Sequence, residues 1–243
     1  VRTSLGVMPD GKLLFDTASY SGYAELPDGT KVPIDGVNRS RGDSELILYN
    51  PYYAYWTLTS GDGMEYTVRG DRVTEVKAAN SLIPDGAVVL SANGRAAWQM
   101  SGLKLGSRVK IVQKTEAVWD RAVQAVGAGP CLVKDGQIYL TTEDEQFGGD
   151  VAGGRAPRTA VGVNAEGRAL LVVVDGRRST SVGLSLAELA QFMLDLGAVD
   201  AMNMDGGGSS EMIVDGQIVN EPSDGRERRI GAGIAVVKTK PGK

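Results

Sequence analysis

The sequence predicts an α+β fold: a mixed, largely antiparallel sheet carrying a few inserted helices. Three observations predict it. Short apolar runs recur from end to end, Asp-Gly pairs punctuate them, and helical periodicity is confined to brief stretches. The runs are Leu46 to Tyr49, Val88 to Leu90, Val109 to Val112, Leu132 to Lys134, Leu170 to Val174, Met212 to Val214 and Ile234 to Val237, each expected as a strand. Asp10-Gly11, Asp28-Gly29, Asp135-Gly136 and Asp215-Gly216 are expected hairpin turns, because such turns demand positive φ, which these residues tolerate. The clearest helix runs from Leu186 to Leu196, with Ser185 as N-cap, Glu188 completing a capping box and Gly197 at the C′ position. Shorter helices are expected from Arg95 to Met100 and around Trp119 to Val126.

The segment Arg2-Thr3-Ser4-Leu5-Gly6-Val7, with Gly11 and Lys12, echoes Arg158-Thr159-Ala160-Val161-Gly162-Val163, with Gly167 and Arg168. Two hairpins of one design, paired in one sheet, or a chance likeness would each account for it. Residues 39–113 have their own strands and a helix, and read as a β-rich subdomain inserted into the main sheet.

Composition narrows the chemistry. With 42% hydrophobic and 23% charged residues the chain is ordinary for a globular protein, and 243 residues suffice for a sizeable core. A formal charge of −4 without a basic run argues against nucleic acid as partner, and no apolar run is long enough to cross a bilayer. Beginning at Val1, the chain reads as a processed product or a piece. The lone Cys131 excludes an internal disulfide and lies in an expected strand, as a buried structural thiol. The chain has no His, which removes Ser-His-Asp triads, His-ligated zinc and imidazole acid–base catalysis together. Any chemistry must run on carboxylates, guanidinium groups, hydroxyls and backbone N–H groups.

Those groups concentrate in the second half. Met202-Asn203-Met204-Asp205 reads as a core strand that runs into Gly206-Gly207-Gly208-Ser209-Ser210. Consecutive glycines bury no side chain, so the run reads as a close approach of a ligand to free backbone N–H groups, with a plain hairpin turn as the alternative. Arg158, Arg177 and Arg228 are candidate oxyanion clamps, since guanidinium forks match phosphate. Asp205 and Asp175 are candidates for orienting sugar hydroxyls, for acid–base work or for stabilising an oxocarbenium-like transition state. Glu143-Asp144-Glu145 is read as a solvated acidic loop, with a weak calcium site as the alternative; no cofactor is otherwise expected.

Six motifs in order resemble the phosphodiester glycosidase family: Gly127-Ala128-Gly129-Pro130 with Leu132-Val133; Pro157-Arg158-Thr159-Ala160; Asp175-Gly176-Arg177; the helix ending at Gly197-Ala198; Asn203-Met204-Asp205-Gly206-Gly207-Gly208-Ser209-Ser210; and Asn220 to Ser223 followed by Glu227-Arg228. Ala128 and Arg229 depart from the usual pattern. The Asn-Gly-Gly-Phe-Phe-like segment that family members usually carry upstream of the first strand is not among these residues. The resemblance implies hydrolysis of the bond between an N-acetylglucosamine-like sugar and a phosphodiester, on glycans or bacterial envelope polymers, by a secreted or envelope-associated enzyme. Asp205 is then the leading catalytic carboxylate and Asp175 the second. Arg158 and Arg228 bind phosphate, and Gly206 to Ser210 form the substrate loop. Thr159, Arg177, Asn203, Asn220 and Gly129 complete the substrate-binding set, with no metal. The alternative is a non-catalytic carbohydrate- or wall-polymer-binding domain of a surface protein.

Overall fold

The computed structural model of the chain describes residues 2–238. The chain divides into two compact units, the second spanning Tyr20–Thr115 and the first formed by the segments on either side of it. The first unit opens with β1 (Arg2–Val7) and β2 (Leu13–Ala18). The second holds β3 (Ser21–Glu25), β4 (Lys31–Pro33), β5 (Gly36–Val37), β6 (Leu46–Tyr49), β7 (Gly63–Arg69), β8 (Arg72–Lys77), β9 (Val88–Asn93), α1 (Gly94–Met100) and β10 (Lys110–Lys114). The chain then returns to the first unit with β11 (Gln124–Gly127), β12 (Cys131–Lys134), β13 (Gln137–Ile138), α2 (Gly149–Ala152), β14 (Arg158–Asn164) and β15 (Ala169–Val174). It ends with α3 (Leu186–Asp195), β16 (Ala198–Asn203), β17 (Ile213–Val214) and β18 (Gln217–Ile218). Every strand ladder but β5 beside β6 is antiparallel, so the fold is α+β with largely antiparallel sheets.

In the second unit a sheet of order β5-β6-β9-β7-β8 accompanies one of order β10-β3-β4. The run Leu-Ile-Leu-Tyr in β6 is apolar throughout because both of its faces are covered. Leu46 and Leu48 pack with Tyr66, Leu90 and Met100, whereas Ile47 and Tyr49 pack with Ile83 and Val89. One charge is sealed inside. The Glu65 carboxylate accepts from Thr57 Oγ1 (3.0 Å), Thr59 Oγ1 (2.7 Å) and Ser81 N (2.8 Å), tying two loops to β7.

In the first unit a sheet of order β13-β12-β16-β14-β15 carries α3 on one face and the sheet β11-β1-β2 on the other. The two-residue period of the strands sorts the side chains. Ala160 and Ala201 face Leu189, Ala190 and Met193 of α3, while Val161, Val163 and Met202 face Leu5 and Phe15. Each fully buried large side chain such as Leu189 contributes about 1.5–3 kcal/mol. The capping box of α3 is present, Ser185 Oγ accepting from Glu188 N and the Glu188 carboxylate accepting from Ser185 N, and Gly197 follows the helix at φ +86°. Both central residues of the Asp135-Gly136 and Asp215-Gly216 turns have positive φ, as tight hairpins require.

The sequence echo is a repeated three-strand unit. Arg2 pairs Ala18 as Arg158 pairs Val174, and Met8 N donates to Lys12 O as Asn164 N donates to Arg168 O. The return strands keep the same register. Ser4 opposes Gly127 and Val7 opposes Gln124 in one copy; Ala160 opposes Asn203 and Val163 opposes Asp200 in the other. The two hairpins do not share a sheet; they lie in two sheets that face each other, joined by the apolar side chains between them.

Three expectations are corrected. Around Trp119 there is only one 3-10 turn, Trp119–Arg121, because residues 124–127 are drawn into an antiparallel ladder with β1. Ile234 to Val237 form no strand; they are exposed, and among the described residues no strand pairs with them. Glu145 is not solvated but buried, its carboxylate accepting from Thr3 N (2.8 Å), Thr3 Oγ1 (2.5 Å), Cys131 N (3.3 Å) and Thr141 Oγ1. Cys131 is buried as expected, and burial pushes its thiol up to about 11.

Burial works to raise the pKa of Glu65, and the hydrogen bonds from Thr59 and Ser81 outweigh it, leaving the carboxyl below its usual range. Its contribution to stability is therefore present above the ordinary carboxylate pKa and is lost as pH falls through the lowered value. Glu65→Ala should cost about 3 kcal/mol or more, since it strands buried donors. Urea denaturation of both forms at neutral pH and at low pH checks this: the difference must shrink on acidification.

Candidate active site

Three glycines allow three segments of the first unit to lie against one stretch of backbone. A Cβ on Gly176 would fall 2.6 Å from Pro157 N, one on Gly206 2.9 Å from Pro157 O, and one on Gly183 would overlap the Ala156 carbonyl. Ala156 and Leu184 exchange backbone hydrogen bonds (3.2 and 3.1 Å), and Gly207 N donates to Pro157 O at 2.9 Å. The end of β15, the loop before α3 and the turn after β16 thus converge at the start of β14.

The glycine run forms a single 3-10 turn, Gly207–Ser209. Its glycines make room for guanidinium groups. A Cβ on Gly207, itself at φ +61°, would sit 3.1 Å from Arg177 Nη1, and one on Gly208 2.5 Å from Arg228 Nη2, as well as against the Asp224 carboxylate. Arg177 is held at φ +57°, a left-handed conformation that costs a non-glycine residue about 1–2 kcal/mol. Despite that, it makes no hydrogen bond or ion pair among the described residues. Arg228 donates to Asp224 Oδ2 from Nε (2.9 Å) and Nη2 (2.6 Å).

Asp175 lies beside this turn. Its Oδ1 accepts from Asn220 Nδ2 (2.9 Å) and Glu221 N (3.0 Å), which leaves Oδ2 open, and its own carbonyl accepts from Ser181 Oγ (2.6 Å). Asn220 also donates to Ser210 O (3.2 Å) and accepts from Met212 N (2.8 Å), and Thr159 Oγ1 donates to Ser210 Oγ (3.1 Å). Arg178 fixes the same segment through Glu221 (2.8 Å) and Pro222 O (3.3 Å). Thr159, Asp175, Arg177, Gly206 to Ser210, Asn220 and Arg228 therefore come together around one turn.

The other expected residues stand differently. Arg158 is buried, its guanidinium donating to Leu184 O (2.9 Å), Val151 O (3.0 Å) and Gly154 O (3.1 Å). Burial first, and the charge of Arg177 second, hold it below the ordinary arginine pKa. Asn203 is buried against Gly129, its Nδ2 donating to Gly129 O (3.0 Å) and Met204 O (2.7 Å), while Asn203 Oδ1 has no partner. Asp205 is exposed, and its Oδ1 accepts from Gly206 N at 2.9 Å. Sequence reasoning missed the parts of Asp224, Arg178 and Ser181. Only Asp224 left a signal, an acidic residue four before Arg228, and without a helix that spacing means little.

The model of the phosphodiester glycosidase family matches residues 62–237. The chain belongs to this family. It is 28% identical over 165 residues to the N-acetylglucosamine-1-phosphodiester alpha-N-acetylglucosaminidase of Mus musculus, a match covering 63% of this chain and 32% of that protein. The chain thus spans about a third of the length of this curated relative. A Synechocystis protein of unassigned function matches with TM-score 0.78 and 26% identity, over 92% of this chain and 43% of the other. A Burkholderia pseudomallei protein matches with TM-score 0.75 and 25% identity, over 92% and 55%. Among the described residues no three His, Cys, Asp or Glu side chains gather as a metal site, and no helix is long and apolar enough to cross a membrane.

Two glycine substitutions separate folding from the site. A methyl group on Gly206 meets backbone, which cannot step aside; one on Gly208 meets the ends of exposed side chains, which can. Gly206→Ala should lower the melting temperature by several degrees, on the order of 1–3 kcal/mol. Gly208→Ala should melt like the parent chain yet displace Arg228 from the turn. Thermal unfolding and phosphate titration of both variants check the contrast.

Proposed function

We propose that this chain hydrolyses the bond between the anomeric carbon of an N-acetylglucosamine-like sugar and a phosphodiester, on a glycan or envelope polymer outside the cytoplasm. The observation that carries the reading is the pair of guanidinium groups laid on the glycine turn, one of them strained and unpartnered among the described residues, with an oriented carboxylate beside them. Charge supports it. The charge of Arg177 disfavours that of the buried Arg158, and an anion at the turn would relieve that repulsion. The repeated unit supports it too. In the first copy Thr3 gives its N–H and its hydroxyl to the Glu145 carboxylate. In the second, Thr159 O accepts from Met204 N as Thr3 O accepts from Ala128 N, so the Thr159 N–H faces the corresponding place beside Asp205. The family, and the activity for which its mouse relative is named, supply the substrate class.

In the proposed reaction water adds to the anomeric carbon, the C–O bond breaks, and the phosphate leaves as a monoester. A phosphomonoester has a second pKa near ~6, so it leaves without strong acid help, which suits a chain lacking His. Arg177 and Arg228 hold the phosphate, with the Gly206 to Ser210 turn against it. Arg228 must exchange Asp224 for that phosphate, a small cost because an exposed pair contributes only about 0–1 kcal/mol. Asp175, fixed by Asn220, places its open oxygen at the sugar carbon, and the more exposed Asp205 serves the water or the departing oxygen. Asn203 and Gly129 support the turn from beneath, and Arg158 organises the loops before it. Secretion is consistent with the Burkholderia pseudomallei relative, whose name assigns it to export.

The test is release of free sugar from an α-N-acetylglucosaminyl phosphodiester. Asp175→Asn and Asp205→Asn should each lower kcat by about a thousandfold, roughly 4 kcal/mol of transition-state stabilisation. Turnover unchanged in both variants would sink the assignment. Binding of the diester with no turnover in the parent chain would favour a carbohydrate-binding domain instead. Arg177→Ala should raise KM more than it lowers kcat. Asp224→Asn, which frees Arg228, should strengthen inhibition by inorganic phosphate by up to about tenfold, or 1.4 kcal/mol.

A further inference from the structure

The second unit contains an open cleft of about 650 Å³, at the ends of β7 and β9 and beside β10. That volume lies within the usual range of small-molecule sites, about 300–1,000 Å³. Its lining includes Pro51, Tyr52, Val68, Asp85, Ile111 and Gln113, and no Lys or Arg. We propose that this cleft is an accessory saccharide-binding site, taking a neutral hexose or N-acetylhexosamine unit of the glycan.

Tyr52 is the decisive residue. It is 95% exposed, an unusual setting for an aromatic ring, yet the turn that carries it is fixed. Tyr52 N donates to Asn50 Oδ1 (3.0 Å), which also accepts from Asn38 Nδ2 (2.7 Å), while Tyr53 N donates to Asn50 O (3.0 Å). The neighbouring Tyr53 ring packs on Tyr49, with centroids 4.9 Å apart. The ordered turn presents an exposed aromatic face at the cleft, which suits the C–H face of a pyranose. Polar groups for the sugar's edge are at hand. The Asp85 carboxylate makes no hydrogen bond or ion pair among the described residues. Gln113 Oε1 accepts from Tyr20 Oη at 3.3 Å, which leaves its amide NH₂ to donate. A carboxylate accepting from adjacent hydroxyls, an amide donor and a stacked ring together recognise an uncharged sugar. The single carboxylate, with no lining cation, disfavours a phosphate there.

The choice of sugar rests on the function proposed above, but the binding is read separately from turnover. The whole chain, labelled with ¹⁵N, is titrated with N,N′,N″-triacetylchitotriose, following amide shifts. Saturable shifts at Tyr52, Gly86 and Gln113, with a dissociation constant of about a millimolar, are expected in the parent chain and in Asp175→Asn. Tyr52→Ala, which removes only exposed surface, should weaken binding at least tenfold, on the order of 1.4 kcal/mol, and Tyr52→Trp should retain it. Shifts confined to Gly206 to Ser210, or cleft shifts that persist in Tyr52→Ala, would overturn the proposal and leave the catalytic reading standing. Absence of any cleft shift in a chain that still releases sugar would do the same. No sugar release by the parent chain, with its cleft binding intact, would sink the catalytic reading alone.

Discussion

The close approach of backbone to backbone at Ala156 and Pro157 is the constraint on which the rest of the first unit's site depends. Gly176, Gly183 and Gly206 each sit where a methyl group would collide with that stretch. Steric exclusion of this kind is steep: a few tenths of an ångström of overlap displaces a whole segment, because packed interiors do not compress. Once these glycines are in place, Asp175 and Arg177 leave β15 at a fixed height and Gly207 is bonded to Pro157 O. The polar side chains then need few bonds of their own to meet. Arg158 adds a second tie, drawing carbonyls from α2 and the residues after it, Val151 and Gly154, and from the loop before α3, Leu184, onto one guanidinium.

The repeated three-strand unit shows how one scaffold can be closed in one copy and open in the other. At the start of β1 the chain fills the place beyond Thr3 with its own carboxylate, Glu145, held by four donors. Among the described residues no carboxylate accepts from Thr159; its hydroxyl donates to Ser210 Oγ instead. The distinction arises from the residues at the exit of each return strand. After β11 come Gly129 and the buried Pro130, whereas after β16 come Asp205 and three glycines that admit guanidinium groups.

Local rules explain what the sequence made legible. The helix α3 could be bounded because Ser185, Glu188 and Gly197 set its ends through bonds within a few residues. The Asp-Gly hairpins were equally readable, since positive φ is a property of those residues themselves. Nearly all of the residues that gather around the glycine turn were readable as well, because glycine, arginine and aspartate at strand ends are conspicuous. Whatever depended on distant partners was not. Trp119 to Val126 has helical composition, but the residues at its end are taken as a strand by β1, more than a hundred positions earlier. Glu145 reads as solvated until Thr3, 142 positions away, is placed against it. Arg158 reads as a ligand-facing cation, and only the loops at Val151, Gly154 and Leu184 reveal that its donors are largely spent.

The spent donors of Arg158 change how the positive charge at the site should be understood. A guanidinium satisfied by carbonyls keeps its charge while using up its hydrogen bonds, so Arg158 contributes field rather than grip. Arg177 has the reverse balance: a strained backbone, an exposed side chain and unspent donors. Arg228 stands between them, its donors engaged by an exposed carboxylate that the phosphodiester of the proposed substrate would displace. In the proposed function, three arginines that look alike in the sequence therefore act at three levels: one sets the potential, one waits for the ligand, and one is exchanged from an internal anion to an external one. In that reading the arginines bind the phosphate, and the bond-breaking step falls to the carboxylate that Asn220 holds in place.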